Sequence, residues 1–245
     1  MADTSAYKTN LSASNTKFND MMARFGVVTV MNAKVYDIAQ IAASHSYDSI
    51  EEFFKNHTAY DIASLVKSTT DLPLCTLDTL KTANVTVDGP DKTVNGGQYA
   101  NPLIKFGKSA RLEIQDALGN SAALEALSGG IQEWKWESSK AGDLSGLHFG
   151  EDFSGPKLII GDSFFIEQKT GNQVPVKIIF YQFLPDSLFN LTQDSEGDAT
   201  VFDMNGDLLT TIIKTGNESG NSTTHGVFYS IIDDALTGAI ADKKQ

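Results

Sequence analysis

The sequence predicts a mainly β protein, a sandwich or barrel with minor helices, and three observations carry that prediction. Segments such as TANVTV and ARLEIQ alternate apolar and polar residues, the period of a strand with one buried face. Turn signals, Gly89-Pro90 and Asn95-Gly96-Gly97 among them, fall between these segments. The runs KLIIGDSFFIEQ and QVPVKIIFYQFL flank the tetrapeptide KTGN and together read as a hairpin.

Residues 1–20 are rich in Ser, Thr and Asn and read as an extended N-terminal arm. Val27 to Ile38 is β-branched enough for one strand, or for two short ones meeting near Asn32. Residues 39–72 change character and predict a two-helix insertion within a single domain spanning 1–245. Asp48-Ser49-Ile50-Glu51 has the spacing of a capping box, and Ile50, Phe53 and Phe54 then share one helical face. A second short helix over 60–68 puts Ile62, Leu65 and Val66 together.

Strands follow at LCTLDTL and TANVTV, the second with Ala83, Val85 and Val87 on one side. Residues 88–101 read as a loop or long hairpin. In the next strand Ala110, Leu112 and Ile114 alternate with Arg111, Glu113 and Gln115. NSAALEALSGG is a short helix anchored by Leu124 and Leu127 and stopped by Gly129. Residues 131–156 read as a long Gly- and Ser-rich loop with a strand at Trp134 to Trp136, where both tryptophans point the same way and suit the core. After the hairpin, ATVFDMNGDLL sets Phe202, Met204 and Leu208 against Asp203, Asn205 and Asp207. TGNESGNSTTHG reads as a polar loop, and GVFYSIID closes the β set.

The 41% hydrophobic and 20% charged fractions over 245 residues are those of an ordinary folded chain with a sizeable core. One cysteine, Cys75, excludes an internal disulfide. The N-terminus lacks the basic cluster and apolar run of a signal peptide, and no apolar stretch is long enough to span a membrane. The N-x-S/T triplets at Asn84 and Asn217 therefore carry no prediction. A net charge of −12 argues against gripping a phosphate backbone in a basic groove.

The search for chemistry centres on Phe189 to Leu209, which holds Asp194, Glu196, Asp198, Asp203 and Asp207. A calcium loop needs Gly at its sixth position and Glu at its twelfth. Counting from Asp194, Gly197 comes two positions early and the twelfth residue is Asn205; from Asp203, the twelfth is Lys214. The template fails both ways, and the acids read as a solvated strand face. His45, His57, His148 and His225 are dispersed without metal-ligand spacing. Gly107-Lys108-Ser109 imitates the end of a phosphate loop, but Pro102 stands where its first Gly belongs. Cys75 sits in an apolar run and suits a small core residue. The reading is of a protein that is not an enzyme and has no catalytic, cofactor or metal residues.

Two blocks carry a resemblance. In the first, Gly97-Gln98 precedes Pro102-Leu103-Ile104, then Gly107-Lys108, Leu112 and Asp116-Ala117-Leu118. In the second, Asn190-Leu191 precedes Ser195-Glu196-Gly197-Asp198 and Phe202-Asp203. Their order and spacing resemble the major tail protein of tailed bacteriophages, the subunit of the tail tube. The resemblance spans roughly 72–128 and 157–209; the segments 39–72 and 131–156 depart from it.

The resemblance implies a β-sandwich or barrel of the tail-tube type with a flanking short helix. It implies a structural virion protein, made in the host cytoplasm, whose homohexameric rings stack into a tube. Double-stranded DNA would pass non-specifically from capsid to host through that tube. Partners would be further copies of the chain and other tail proteins: tape measure, tail completion and, as a further candidate, sheath. No membrane partner or cofactor is implied. The candidate lumen-facing residues are Asp203, Asn205 and Asp207 or, alternatively, Arg111, Glu113 and Gln115. Two other readings stay open, a head-decoration or capsid-associated phage protein and a carbohydrate-binding or hydrolytic β-sandwich.

Overall fold

The computed structural model describes residues 30–77, 82–89, 91–93, 103–105, 108–118, 121–134, 144–150, 154–166, 173–192, 201–216, 220–234, 240 and 242. The predicted arm at 1–20 lies outside them. The fold is mainly β, as the alternating segments predict. Its main sheet joins eight antiparallel strands. They are β1 (Met31–Asp37), β2 (Cys75–Leu77), β3 (Thr82–Asp88), β6 (Ser109–Leu118), β9 (Lys157–Ile166), β10 (Gln173–Thr192), β11 (Val201–Leu208) and β14 (Tyr229–Asp233). The order is β2-β1-β9-β10-β11-β6-β3, with β14 also on β10.

β9 and β10 form the predicted hairpin, with Ile166 opposite Gln173. β10 runs on past the predicted end to Thr192. Its first half pairs with both β9 and β14, and its second half pairs with β11. Pro185 is tolerated inside so long a strand because the β10–β11 register shifts between Pro185 and Phe189.

Alternation divides the core in two. On one face Val35, Ile159, Ile178, Phe180, Leu112 and Met204 pack with Leu124 and Leu127 of the helix Ser121–Ser128. Gly129, at φ 73, ends that helix as predicted. On the other face Tyr36, Leu158, Ile160, Ile179 and Tyr181 meet a helical layer. β1, β9 and β10 are therefore apolar on both sides, which explains their unbroken β-branched runs.

The helical layer corrects the two-helix expectation for 39–72. It comprises α1 (Ile38–Ser44), α2 (Ile50–Asn56) and α3 (Ala59–Ala63), followed by a 3-10 turn at Ser64–Lys67. The Ser121–Ser128 helix is α4. α1 escaped the sequence reading because IAQIAAS continues the apolar run of β1, and seven residues are too few for period alone to separate helix from strand. Asp37 caps it, accepting from the Gln40 amide at 3.2 Å.

The cap of α2 lies one residue later than expected. Ser49 accepts from the Glu52 amide at 3.1 Å, and Glu52 Oε2 accepts from the Asp48 amide at 3.4 Å. A complete capping box stands at Thr58 and Asp61, where side chain and backbone bond reciprocally at 3.2 and 2.7 Å. Phe53 and Phe54 are fully buried, as are Ile62 and Leu65, while Ile50 and Val66 are partly so.

Three two-stranded ribbons complete the described residues. β4 (Asp91–Thr93) pairs with β5 (Leu103–Lys105), so one strand falls inside the loop or long hairpin expected at 88–101 and the other just after it. β7 (Ile131–Trp134) pairs with β8 (Leu144–His148), where the sequence suggested a loop with one strand further on. Trp134 is 53% exposed rather than in the core, and Trp136 lies outside the described residues. β12 (Thr211–Gly216) pairs with β13 (Ser222–Val227), so much of the predicted polar loop is strand. Ile213 of β12 is buried in the helical layer, and the Lys214 amide donates to the His57 carbonyl at 3.0 Å. Thr211, also buried, and Ile213 anchor the strand, which explains why a Thr-rich segment holds one.

Candidate functional site

β6 is the hinge of the candidate surface. Its even-numbered residues Ala110, Leu112 and Ile114 are buried against α4, so Arg111, Glu113 and Gln115 must face the other way. β11 pairs with it so that Asp207 lies opposite Arg111 and Asn205 opposite Glu113. β3 pairs on the other edge, setting Thr86 opposite Arg111, Asn84 opposite Glu113 and Thr82 opposite Gln115. Directly paired residues project to the same side of a sheet. The two sets read from sequence as alternatives therefore share one surface, with Asn84 and Thr86 continuing it.

The rows Asp207-Arg111-Thr86 and Asn205-Glu113-Asn84 cross three strands. This polar surface continues the sheet face that the helices cover further along, at β1, β9 and β10. Asp203 lies two residues before Asn205 on β11 and pairs with Asn190 of β10. The β11–β6 register shifts between Phe202 and Met204, where β6 takes three steps from Ala117 to Ile114 against two on β11. The extra residue is thus in β6, and Asp203 keeps the alternation of Asn205 and Asp207.

Arg111 sits between two carboxylates. One guanidinium nitrogen bonds Asp186, and the other donates to Asp207 Oδ1 at 3.3 Å. Asp186 was missed in the sequence because Pro185 marks a strand end there by the usual rule. Among the described residues of these rows Arg111 stands against the carboxylates of Glu113, Asp186, Asp203 and Asp207, and together they are net acidic. Asn205-Gly206-Asp207 approaches β10 closely. A Cβ on Gly206 would stand 2.3 Å from the Leu184 carbonyl oxygen and 2.5 Å from the Phe183 ring. The glycine is thus what lets β11 hold Asn205 and Asp207 in register against β10.

The loop carrying Asp194, Glu196 and Asp198 lies outside the described residues, and among those described no His, Cys, Asp and Glu group is arranged to hold a metal. The four histidines occupy four separate places. His57 is buried with Phe53 and Tyr47, its Nδ1 donating to the Phe53 carbonyl at 2.7 Å. His148 meets Glu133, His225 meets Thr223, and His45 meets Asp71 and Asp242.

Cys75 is buried, and burial pushes its thiol up to about 12, against a smaller lowering by Lys157. A thiol held protonated is a poor nucleophile. A cleft of about 400 Å³ opens at the end of β9 and β10, lined by Asn32, Asp162, Phe164, Pro175, Lys177 and Asp234 among others. Burial alone would lower the Lys177 ammonium, but bonds to Asp162 and to Asp234 at 3.3 Å raise it. The amine is thereby spent on its two carboxylates and is no Schiff-base nucleophile.

Among the described residues no helix is long and apolar enough to cross a membrane. No family model matches the chain, and no curated protein matches it.

Proposed function

We propose that the chain is a structural virion protein, the tail-tube subunit of a tailed bacteriophage, and not an enzyme. Homohexameric rings stack helically into a hollow tube in the virion tail, and double-stranded DNA passes through it at ejection. The observation that carries the reading is the polar, net acidic surface laid across β11, β6 and β3, added to the two sequence blocks, whose described residues fall on β5–β6 and on β10–β11. In this reading the sandwich or barrel is of the tail-tube type, and the surface faces the lumen.

The electrostatics favour a conduit over a clamp. A ring of six copies at −12 each carries −72. DNA carries about one negative charge per 1.7 Å of axis, and cationic walls would release its counterions and hold it. An acidic wall leaves it free to slide. β3 ends the sheet with a seven-residue edge, room for a neighbour to continue the same surface. Ring closure and ring stacking each need their own head-to-tail contact. Other tail proteins, such as tape-measure, completion and sheath components, would meet the ends and outside of the tube.

A phage carrying Asn205→Lys tests the lumen assignment. Tails should assemble normally while DNA ejection slows; lost assembly with no ejection-specific defect would place Asn205 in a subunit interface instead. The exposed Trp134 favours a second reading, a carbohydrate-binding sandwich that stacks sugars on this ring. Quenching or a blue shift of tryptophan fluorescence on titration with oligosaccharides, lost in Trp134→Ala, would support it. A head-decoration protein would differ by symmetry, as a trimer or monomer on a lattice.

A further inference from the structure

The cleft at the end of β9 and β10, about 400 Å³ in volume, combines unlike groups on one sheet face. Asp162 lies opposite Lys177 and Phe164 opposite Pro175, so these four side chains project to the same side. Ile160 and Ile179 belong to the same alternation and meet the helical layer, so the cleft opens on that face beyond the helices. Met31 lies opposite Asp162 from β1, and Asn32, at φ 47, donates from Nδ2 to Asp162 Oδ2 at 3.3 Å. Asp234 follows β14, where its amide donates to the Pro175 carbonyl at 3.4 Å.

The charges in the cleft do not cancel. Lys177 bonds Asp162 and stands 3.3 Å from Asp234 Oδ1, and its side chain is only 12% exposed. Two carboxylates against one ammonium leave one negative charge. The carboxylates are 38% and 41% exposed, so a ligand reaches them more readily than it reaches the ammonium. Half-buried Phe164 adds an aromatic wall, and Met31 and Pro175 add apolar surface.

We propose that this cleft binds an alkyl guanidinium, the group carried by an arginine side chain or by a small free guanidine. A guanidinium pairs side-on with a carboxylate and stacks on an aromatic ring. Asp234 meets Lys177 through Oδ1, which leaves Oδ2 to accept from the ligand. Phe164 offers the ring, and the alkyl stem packs on Met31 and Pro175. A bare divalent cation fits less well, because it takes six or more oxygens and Lys177 already bridges these two carboxylates. The inference does not depend on the tail-tube reading.

Heteronuclear NMR of the full chain tests it, following the Phe164 and Lys177 amides during titration with butylguanidinium at constant ionic strength. Both should shift and saturate with a Kd on the order of 1 mM. The neutral isostere butylurea should leave them unmoved. Asp234→Asn should weaken binding about ten-fold and Phe164→Leu about two- to five-fold. Lys177→Met removes the competing ammonium and should tighten binding; where that variant does not fold, the half-exposed Asp234→Asn still decides. A capped tripeptide with a central arginine separates the two sources. Tighter binding than butylguanidinium assigns the cleft to an arginine of a protein chain, and weaker binding to a free guanidine. Equal shifts with butylurea, shifts that never saturate, or unchanged affinity in Asp234→Asn would overturn the proposal.

Discussion

Gly206 and Arg111 show how differently two residues of one surface contribute. Gly206→Ala forces a methyl into the Leu184 carbonyl and the Phe183 ring, where backbone and a buried aromatic must give way. Urea denaturation should register a loss of about 3 kcal/mol. Arg111→Gln should cost under about 1 kcal/mol, because its ion pairs are exposed and water replaces them. A cation is best introduced at Asn205. Asp207→Lys would set a cation against Arg111 and confuse a local repulsion with an effect on DNA. Alkaline pH acts through buried residues. Cys75 and Tyr36 are both held up to about 12, Tyr181 is raised further by burial, and Lys177 is raised by its carboxylates. In each case the unfolded chain loses its proton first, so the native state binds more protons and stability falls as pH rises. Urea midpoints should decline from about pH 9 upward, starting with the Cys75 thiol; midpoints flat to pH 11 would contradict this.

At the scale of elements, legibility followed how many signals agreed. β6, β11 and α4 combined clean periodicity with turn or stop residues, and the structure places them where the sequence does. The helical layer was half legible: Phe53, Phe54, Ile62 and Leu65 mark its buried face, while α1 hides behind the apolar end of β1. β7–β8 and β12–β13 were hidden by Gly, Ser and Thr, because few buried residues, such as Thr211 and Ile213 in β12, leave periodicity too little to register. The candidate surface was legible residue by residue but not as a unit. Strand pairing is long-range, and nothing local says that Asp207 meets Arg111. The layer should be integral to the fold and not a detachable decoration. Phe54→Ala should cost about 3–5 kcal/mol by the loss of a fully buried ring. Deleting 39–72 would bare Tyr36, Ile160 and Tyr181, and should yield insoluble protein, checked by expression and circular dichroism.

For the whole molecule, the uneven covering of one sheet is the feature that matters. One face is closed by α4. The other is closed over β1, β9 and β10 by the helices and β12, and is left wet and acidic over β11, β6 and β3. A sheet that is closed at one end and hydrophilic at the other suits a subunit whose open part lines a shared cavity. Electron microscopy of the purified chain at high concentration tests that claim most directly. The account predicts six-fold rings stacking into hollow tubes. Monomers alone in every preparation, or three-fold particles without a tube, would contradict it.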